Sequence, residues 1–363
     1  MLKQLGPYII DKQIGRGGMG FVYAAHHEDT NEVVALKMLS LGFADDENFR
    51  SRFSLEIETL KQLRHDGIVE IFGFGEQDGI LFYSMELVDG PSLYDLLKSD
   101  GPVAWRDVVR MTIEICHALK HAHDRGVIHR DLKPSNLIVS SSGSVKLVDF
   151  GIARLFGSAQ LTADHAVVGT ADYMSPEQAE GQRPTVRSDL YSLGAVMYAL
   201  LSGKPPFSSP SIAQVIHKLR HDPPPSLLDA QLNIPRELNH IVAQLLSKNP
   251  EDRVPTPLAV IHRLQAMQHA LDSKLPTTSN HPVIDITNTN AGATYSDNTP
   301  TGEFTRGEVD EDNSPTLLHP TMQEPHPTGA ASDELSLADI DSDTAQVTTV
   351  DDGVQSHFTR VDP

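Results

Sequence analysis

Between residues 8 and 38, apolar and polar side chains alternate in short runs (YIIDKQIG, FVYAAH, EVVALKML), a pattern that predicts antiparallel strands joined by tight turns. The period then lengthens. In NFRSRFSLEIETLKQL, Phe49, Phe53, Leu60 and Leu63 mark a helical stripe, with Glu56 in its middle and Glu58 pointing away. Beyond about residue 104, Trp105, Val108, Val109, Thr112, Ile115, Cys116 and Leu119 recur every three or four positions, as one buried helix face requires. The most apolar run, LYSLGAVMYALLSG at 190–203, is shorter than the roughly 18 residues of a membrane span and reads as a buried core helix. After about residue 271 periodicity ends. Residues 271–363 hold three aromatics (Tyr295, Phe304, Phe358), 15 threonines and many prolines, too little apolar surface to offset ordering entropy, which predicts disorder. The pattern is α+β: a small strand-rich lobe, a larger helical lobe and a tail.

Charge sharpens this division. The 363-residue chain carries −20, and residues 271–363 hold 17 Asp/Glu against 3 Lys/Arg, a net of −14 that leaves −6 for residues 1–270. An acidic chain argues against non-specific nucleic-acid binding and against docking on an anionic membrane. The single cysteine, Cys116, cannot form an intramolecular disulfide. The opening MLKQLGPYIID has neither the basic start nor the apolar core of a signal peptide. No membrane segment and a cytoplasmic location are expected.

Candidate chemistry lies at four places. GRGGMG at 15–20 is followed by the strand formers FVYAAH rather than by a helix. That leaves a strand–turn–strand whose amides could close over phosphates, or an ordinary glycine-rich hairpin. Lys37 ends the strand VVALK; a carboxylate on an apolar stripe needs a cation, and Lys37 is the candidate partner for Glu56, the alternative being Glu56 reaching water at the stripe's edge. VIHRDLKPSN at 127–136 packs Asp131, Lys133 and Asn136 together, and VKLVDFG at 145–151 ends a strand in Asp149. Together these groups meet the demands of phosphoryl transfer from a nucleotide: oxygen ligands for Mg²⁺, a carboxylate to orient and deprotonate a hydroxyl, and a cation for the transferred group.

In order and separation, GRGGMGFV, VALK, HRDLKPSN, DFG, GTADYMSPEQ and SDLYSLG resemble the eukaryotic-type protein kinase family over residues 8–270, in the style of its bacterial serine/threonine branch. The resemblance implies a bilobal protein-kinase fold, with an N-lobe at about 8–88, a C-lobe at about 89–270 and the disordered acidic tail at 271–363. It implies ATP and Mg²⁺ as cofactors, with Mn²⁺ a substitute. Lys37 would hold the α- and β-phosphates and pair with Glu56; Asp131 would be the base, Lys133 the γ-phosphate contact, Asn136 and Asp149 the metal ligands. The ATP site would draw on Ile14, Gly15, Gly17, Gly18 and Gly20, with Val22, Ala35 and Ile138 around the adenine, Met85 as gatekeeper, and the backbones of Glu86 and Val88 bonding the base. Glu177 with Arg253, Asp189 and His129 would be structural. Lys133 and Thr170 are what serine/threonine-directed members carry. The implied function is ATP-dependent phosphorylation of protein Ser/Thr hydroxyls in cytoplasmic signalling, regulated by autophosphorylation; the alternative is a pseudokinase or nucleotide-binding scaffold acting through its tail, against which stands the complete set Lys37, Glu56, Asp131, Asn136 and Asp149.

Two further features concern regulation. Arg130 is a cation near the loop 152–174, where Ser158 and Thr162 are candidate phosphorylation sites; its alternative is an ion pair with an acidic neighbour. In the tail, FTRGEVD at 304–310 and FTRVDP at 358–363 place an acidic residue three positions after Thr305 and Thr359. A phosphothreonine so followed resembles the ligands of forkhead-associated domains, so the expected partners are protein substrates and such a domain bound to the phosphorylated tail, with chance repetition the alternative for the motif. A transient homodimer is compatible with the sequence.

Overall fold

The computed structural model describes residues 2–17, 20–39, 47–151, 171–228 and 233–273. The first lobe is an antiparallel sheet of β1 (Gln4–Leu5), β2 (Tyr8–Gly17), β3 (Gly20–His27), β4 (Val33–Leu39), β5 (Ile71–Gln77) and β6 (Ile80–Glu86), in the order β1-β2-β3-β4-β6-β5. Alternation gives the sheet two apolar faces. Val34, Leu36 and Phe82 join Leu5, Tyr8 and Ala25 in a small outer cluster, whereas Ala35, Tyr83 and Met85 belong to the main core. The two expected strands are present, β2 and β3 pairing up to Gly17 and Gly20, and the two residues between them lie outside the described residues. Gly20 has φ +146°, and a Cβ there would lie 1.9 Å from the Met38 carbonyl oxygen, so the hairpin tolerates only glycine at this point.

Helix α1 (Glu47–Lys61) covers the inner face of this sheet through Phe49, Phe53, Ile57 and Leu60, with Phe53 edge-on to Phe74 at 5.9 Å. Ile57, not Glu56, fills the middle of the stripe. Glu56 sits on its flank with its side chain 24% exposed, because the 3.6-residue repeat carries the buried line from Phe53 to Ile57.

The second lobe contains α2 (Leu93–Asp100), α3 (Trp105–His123), the hairpin β7 (Leu137–Val139) and β8 (Val145–Leu147), α4 (Pro176–Ala179), α5 (Val186–Ser202), α6 (Ile212–His221), α7 (Arg236–Leu245) and α8 (Pro257–Asp272). Of the predicted stripe of α3, Val108, Val109, Thr112, Ile115, Cys116 and Leu119 are buried, while Trp105 at the helix start is half-buried. Every residue of α5 from Ser188 to Leu201 is buried, as its apolar run requires. One contiguous core runs from α1 and β6 through α3 to α5, α7 and α8, so the lobes share an apolar spine that fixes the cleft between them. Among the described residues, no helix is long and apolar enough to cross a membrane. The predicted tail lies outside the described residues from 274 onward.

Candidate active site

The segment 128–136 lacks helix or strand until a single 3₁₀ turn at Pro134–Asn136, and it is positioned by side chains. Asp189, 1% exposed at the start of α5, accepts hydrogen bonds from the backbone N–H groups of His129 and Arg130, both at 2.8 Å, and contacts His123 Nε2 at 2.8 Å. Arg130 (φ +67°) and Asp149 (φ +58°) both hold left-handed backbone, a conformation that costs of order 1–3 kcal/mol for a non-glycine residue and persists only where the surroundings enforce it. Here the enforcement comes from Asp189, from Gln178 Nε2 donating to the Arg130 carbonyl at 3.0 Å, and from Gly151 N donating to the His129 carbonyl at 2.8 Å. His129 is fully buried; its Nδ1 accepts from Asp131 N at 3.4 Å and its Nε2 faces the Val148 carbonyl at 3.2 Å, which defines a neutral Nε2–H tautomer and a structural role.

The charged groups converge on the cleft. Lys133 Nζ donates to Asp131 Oδ2 at 2.8 Å, and Asn136 Nδ2 donates to the Asp131 carbonyl at 2.9 Å and to Oδ2 at 3.2 Å. Val148 N donates to the Asn136 carbonyl at 3.0 Å, so the β7–β8 hairpin delivers Asn136 and Asp149 to one end. Lys37 reaches this cluster but does not meet Glu56. Its Nζ lies 2.6 Å from Asp149 Oδ1, while Glu56 Oε1 lies 3.5 Å from Arg130 Nη1. The expected Lys37–Glu56 pair is thereby corrected: from the flank of the stripe Glu56 faces the second lobe, where Arg130 is the nearer cation. Arg130 accordingly holds an acidic neighbour, the alternative weighed for it above. Burial pushes the Asp149 carboxyl up, but the Lys37 charge and hydrogen bond, with Tyr83 and Lys133, outweigh this and hold it below its ordinary value.

Of the residues expected around the adenine, Ala35 and Met85 are buried cross-strand neighbours in the main core, and Val22, Val88 and Ile138 are half-buried and packed against that core. Behind Met85 the core closes to a cavity of about 10 Å³, bounded by Leu60, Tyr83 and Phe150 among others. The Glu86 side chain is held by Lys146 Nζ at 2.6 and 2.8 Å, which ties the connection between the lobes to β8. Ile14 is exposed on β2, and Gly15 and Gly17 lie on the hairpin arm before the turn. A Cβ at Gly17 would meet nothing within 4 Å, an open face suited to a polyanion approaching the backbone.

The donor set suits a hard divalent cation. Asp149 offers a carboxylate, and because the Asn136 amide nitrogen is turned to Asp131, its Oδ1, which accepts from Ser135 Oγ at 3.4 Å, is the atom that could also face a metal. One carboxylate and one amide oxygen suit Mg²⁺, which takes its remaining ligands from water and phosphate, and among the described residues no cluster of three or more His, Cys, Asp or Glu suggests a closed metal cage.

A family model described as the protein kinase domain matches residues 8–269. The chain belongs to the protein kinase domain family. It is 40% identical over 259 residues to the probable serine/threonine-protein kinase PknB of Corynebacterium glutamicum, covering 69% of this chain and 40% of the relative. PknD of Mycobacterium tuberculosis, named a serine/threonine-protein kinase, is 40% identical over 253 residues, covering 69% and 38%. The chain thus spans about two fifths of the length of these curated relatives. The crystal structure of the Mycobacterium tuberculosis PknI kinase domain aligns with TM-score 0.58 and 28% identity, over 72% of this chain and 97% of that one.

Below the cleft of this kinase domain, Glu177 and Arg253 form the expected buried pair, at 2.7 and 2.8 Å. Three contributors were not anticipated: Lys146 beneath Glu86, Gln178 on the Arg130 carbonyl, and Tyr83, whose hydroxyl donates to Asp149 Oδ1 at 3.1 Å. Only Tyr83 left a signal, a phenol in the mostly apolar strand ILFYSME needing a partner once buried. Gly18, Ser158, Thr162, Thr170, Thr305 and Thr359 lie outside the described residues.

Proposed function

We propose that the chain is an active serine/threonine protein kinase that transfers the γ-phosphoryl group of ATP to protein Ser/Thr hydroxyls. The observation that carries this is the convergence of Lys37, Asp131, Lys133, Asn136 and Asp149 at one cleft, each within hydrogen-bond reach of another member. Asp131 accepts the proton of the attacking hydroxyl as the P–O bond forms, and Lys133 beside it meets charge on the phosphoryl group in flight. Lys37 binds the α- and β-phosphates, exchanging Asp149 for them. Val22, Ala35 and Ile138 enclose the adenine beneath Ile14, with Met85 behind it and the backbones of Glu86 and Val88 as its hydrogen-bonding edge. Gly15, Gly17, Gly18 and Gly20 allow the hairpin to cover the phosphates. Asn136 and Asp149 would hold Mg²⁺ or Mn²⁺, which would supply positive charge to offset that of the phosphates.

Regulation by autophosphorylation fits the same cluster. With Arg130 held by Glu56, a phosphate arriving at Ser158 or Thr162 would compete for that guanidinium and release Glu56 toward Lys37. In the tail, phosphorylated Thr305 and Thr359 would recruit a forkhead-associated-domain partner. The free, buried Cys116 suits a reducing, cytoplasmic setting.

The test is mass spectrometry of the full chain after incubation with Mg·ATP, alongside Asp131→Asn. Phosphate on Ser/Thr in the native protein and none in the variant is the expected result. Equal labelling of both would remove Asp131 from catalysis, and none in either would favour the scaffold reading.

A further inference from the structure

Among the described residues, Tyr83 is the one hydroxyl brought to the Asp149 carboxylate, and register explains how. On the antiparallel pair of β4 and β6, Lys37 stands opposite Tyr83, so both side chains leave the same face of the sheet. Both end on one atom, Lys37 Nζ at 2.6 Å and Tyr83 Oη at 3.1 Å from Asp149 Oδ1. The phenol ring is immobilised: Tyr83 is 1% exposed and its ring centroid lies 6.5 Å from that of Phe53 on α1. A buried phenol needs a hydrogen-bond partner, and Asp149, whose left-handed backbone gives its side chain no regular secondary structure to lean on, needs a fixed direction. The two needs are met by one bond.

We infer that Tyr83 is a positioning residue for the metal site, its hydroxyl holding Asp149 by Oδ1 so that Oδ2 is presented to the divalent cation. The two donors on Oδ1 are not equivalent. Lys37 is a flexible cation that leaves Asp149 for the nucleotide phosphates under the function proposed above, on which this inference rests. Tyr83 is neutral, buried and has no phosphate to follow, so it remains on Asp149 while the metal is bound. Outer partners that orient a metal-ligating carboxylate typically contribute about 10–100-fold in metal affinity.

The test uses the full chain carrying Tyr83→Phe, which keeps the ring and removes only the hydroxyl, with Tyr83→Met as a second way of removing it. Mn²⁺ binding is followed by electron paramagnetic resonance at saturating non-hydrolysable ATP analogue, and analogue affinity is measured separately in EDTA. The expected result is a Mn²⁺ dissociation constant raised about tenfold, a metal-free analogue affinity within about twofold of native, and a Mg²⁺ titration of phosphate transfer displaced to higher concentration by a similar factor. A Mn²⁺ affinity within about twofold of native in either cooperatively melting variant overturns the inference, as does an equal loss of metal-free analogue affinity, which would mean a collapsed cleft. Two variants that both fail to melt cooperatively would also overturn it, by assigning Tyr83 to the core rather than to the metal site. The proposed function is judged on the native protein: if that binds no Mn²⁺–analogue complex, the reading of the cleft fails, whereas native binding unchanged in the variants fails only the role of Tyr83.

Discussion

Arg253→Met should be among the most damaging single changes outside the cleft. The Arg253 side chain is fully buried, and each of its five N–H donors has an acceptor. Nε donates to the Ser247 carbonyl, Nη1 to Glu177 Oε1 and the Arg187 carbonyl, and Nη2 to Glu177 Oε2 and the Lys248 carbonyl, at 2.7–2.9 Å. Methionine fills much of the volume but leaves the Glu177 carboxylate, 8% exposed, with Ser188 Oγ at 2.7 Å as its remaining side-chain donor. Breaking a buried pair by removing one partner costs about 3–5 kcal/mol. Against a typical domain stability of about 5–15 kcal/mol that is about a fifth or more, and it corresponds to a melting temperature lower by roughly 10 °C at this size. Urea and thermal melts of the full chain measure it, with Glu177→Gln and the double variant completing the cycle. The double variant buries no unpaired charge, so it should be more stable than the sum of the single losses by at least about 2 kcal/mol. Additive losses, or an Arg253→Met melt within 2 °C of native, would refute the claim that the pair is a desolvated charge network. As a control, Arg187–Glu251, whose carboxylate side chain is 78% exposed, should change stability by less than about 0.5 kcal/mol when Glu251 becomes Gln.

Lys37→Met removes the closest cation from Asp149 and leaves Tyr83, among the described residues, as its remaining side-chain hydrogen-bond donor, so it should both abolish transfer and lower stability more than the equally inactive Asp131→Asn; equal melting temperatures for the two variants would argue against the Lys37–Asp149 contact. The hairpin glycines should separate: Gly20→Ala lowers the melting temperature through its clash with the Met38 carbonyl, whereas Gly17→Ala leaves it unchanged and raises KM for ATP, and the reverse order would be contrary evidence. Burial lowers the pKa of His129, so its folded form stays neutral while the unfolded chain takes up a proton below about pH 6.5. That stability is present above the unfolded value and is lost as pH falls. His65 and His121 are lowered by burial in the same direction, so the diagnostic is the difference between the native protein and His129→Phe: the variant should lose less stability from pH 7.5 to 5.5, and parallel curves would contradict it.

Much of this kinase domain is determined locally and is therefore visible in the chain. Alternation fixes β2 to β4, the three- and four-residue repeat fixes the buried face of α3, and the unbroken apolar run of α5 dictates a helix enclosed on all sides, because each pattern is a solvation requirement that neighbours in sequence already express. The cleft residues were visible for a related reason, since Asp131, Lys133 and Asn136 share one segment and Asp149 lies two residues past the adjoining strand. Partnership between distant groups was a different matter. Glu56 could be recognised as needing a cation, but whether Lys37 or Arg130 supplied it depended on a rotation of α1 that turns Ile57 to the core and Glu56 to the second lobe. Tyr83 and Lys146 act across 66 and 60 residues of intervening chain, through a cross-strand register and a lobe-to-lobe contact. A salt bridge or hydrogen bond is decided by ångströms and by directions that only the packed core supplies. The sequence therefore determined which groups had to be paired, and the tertiary structure decided with whom.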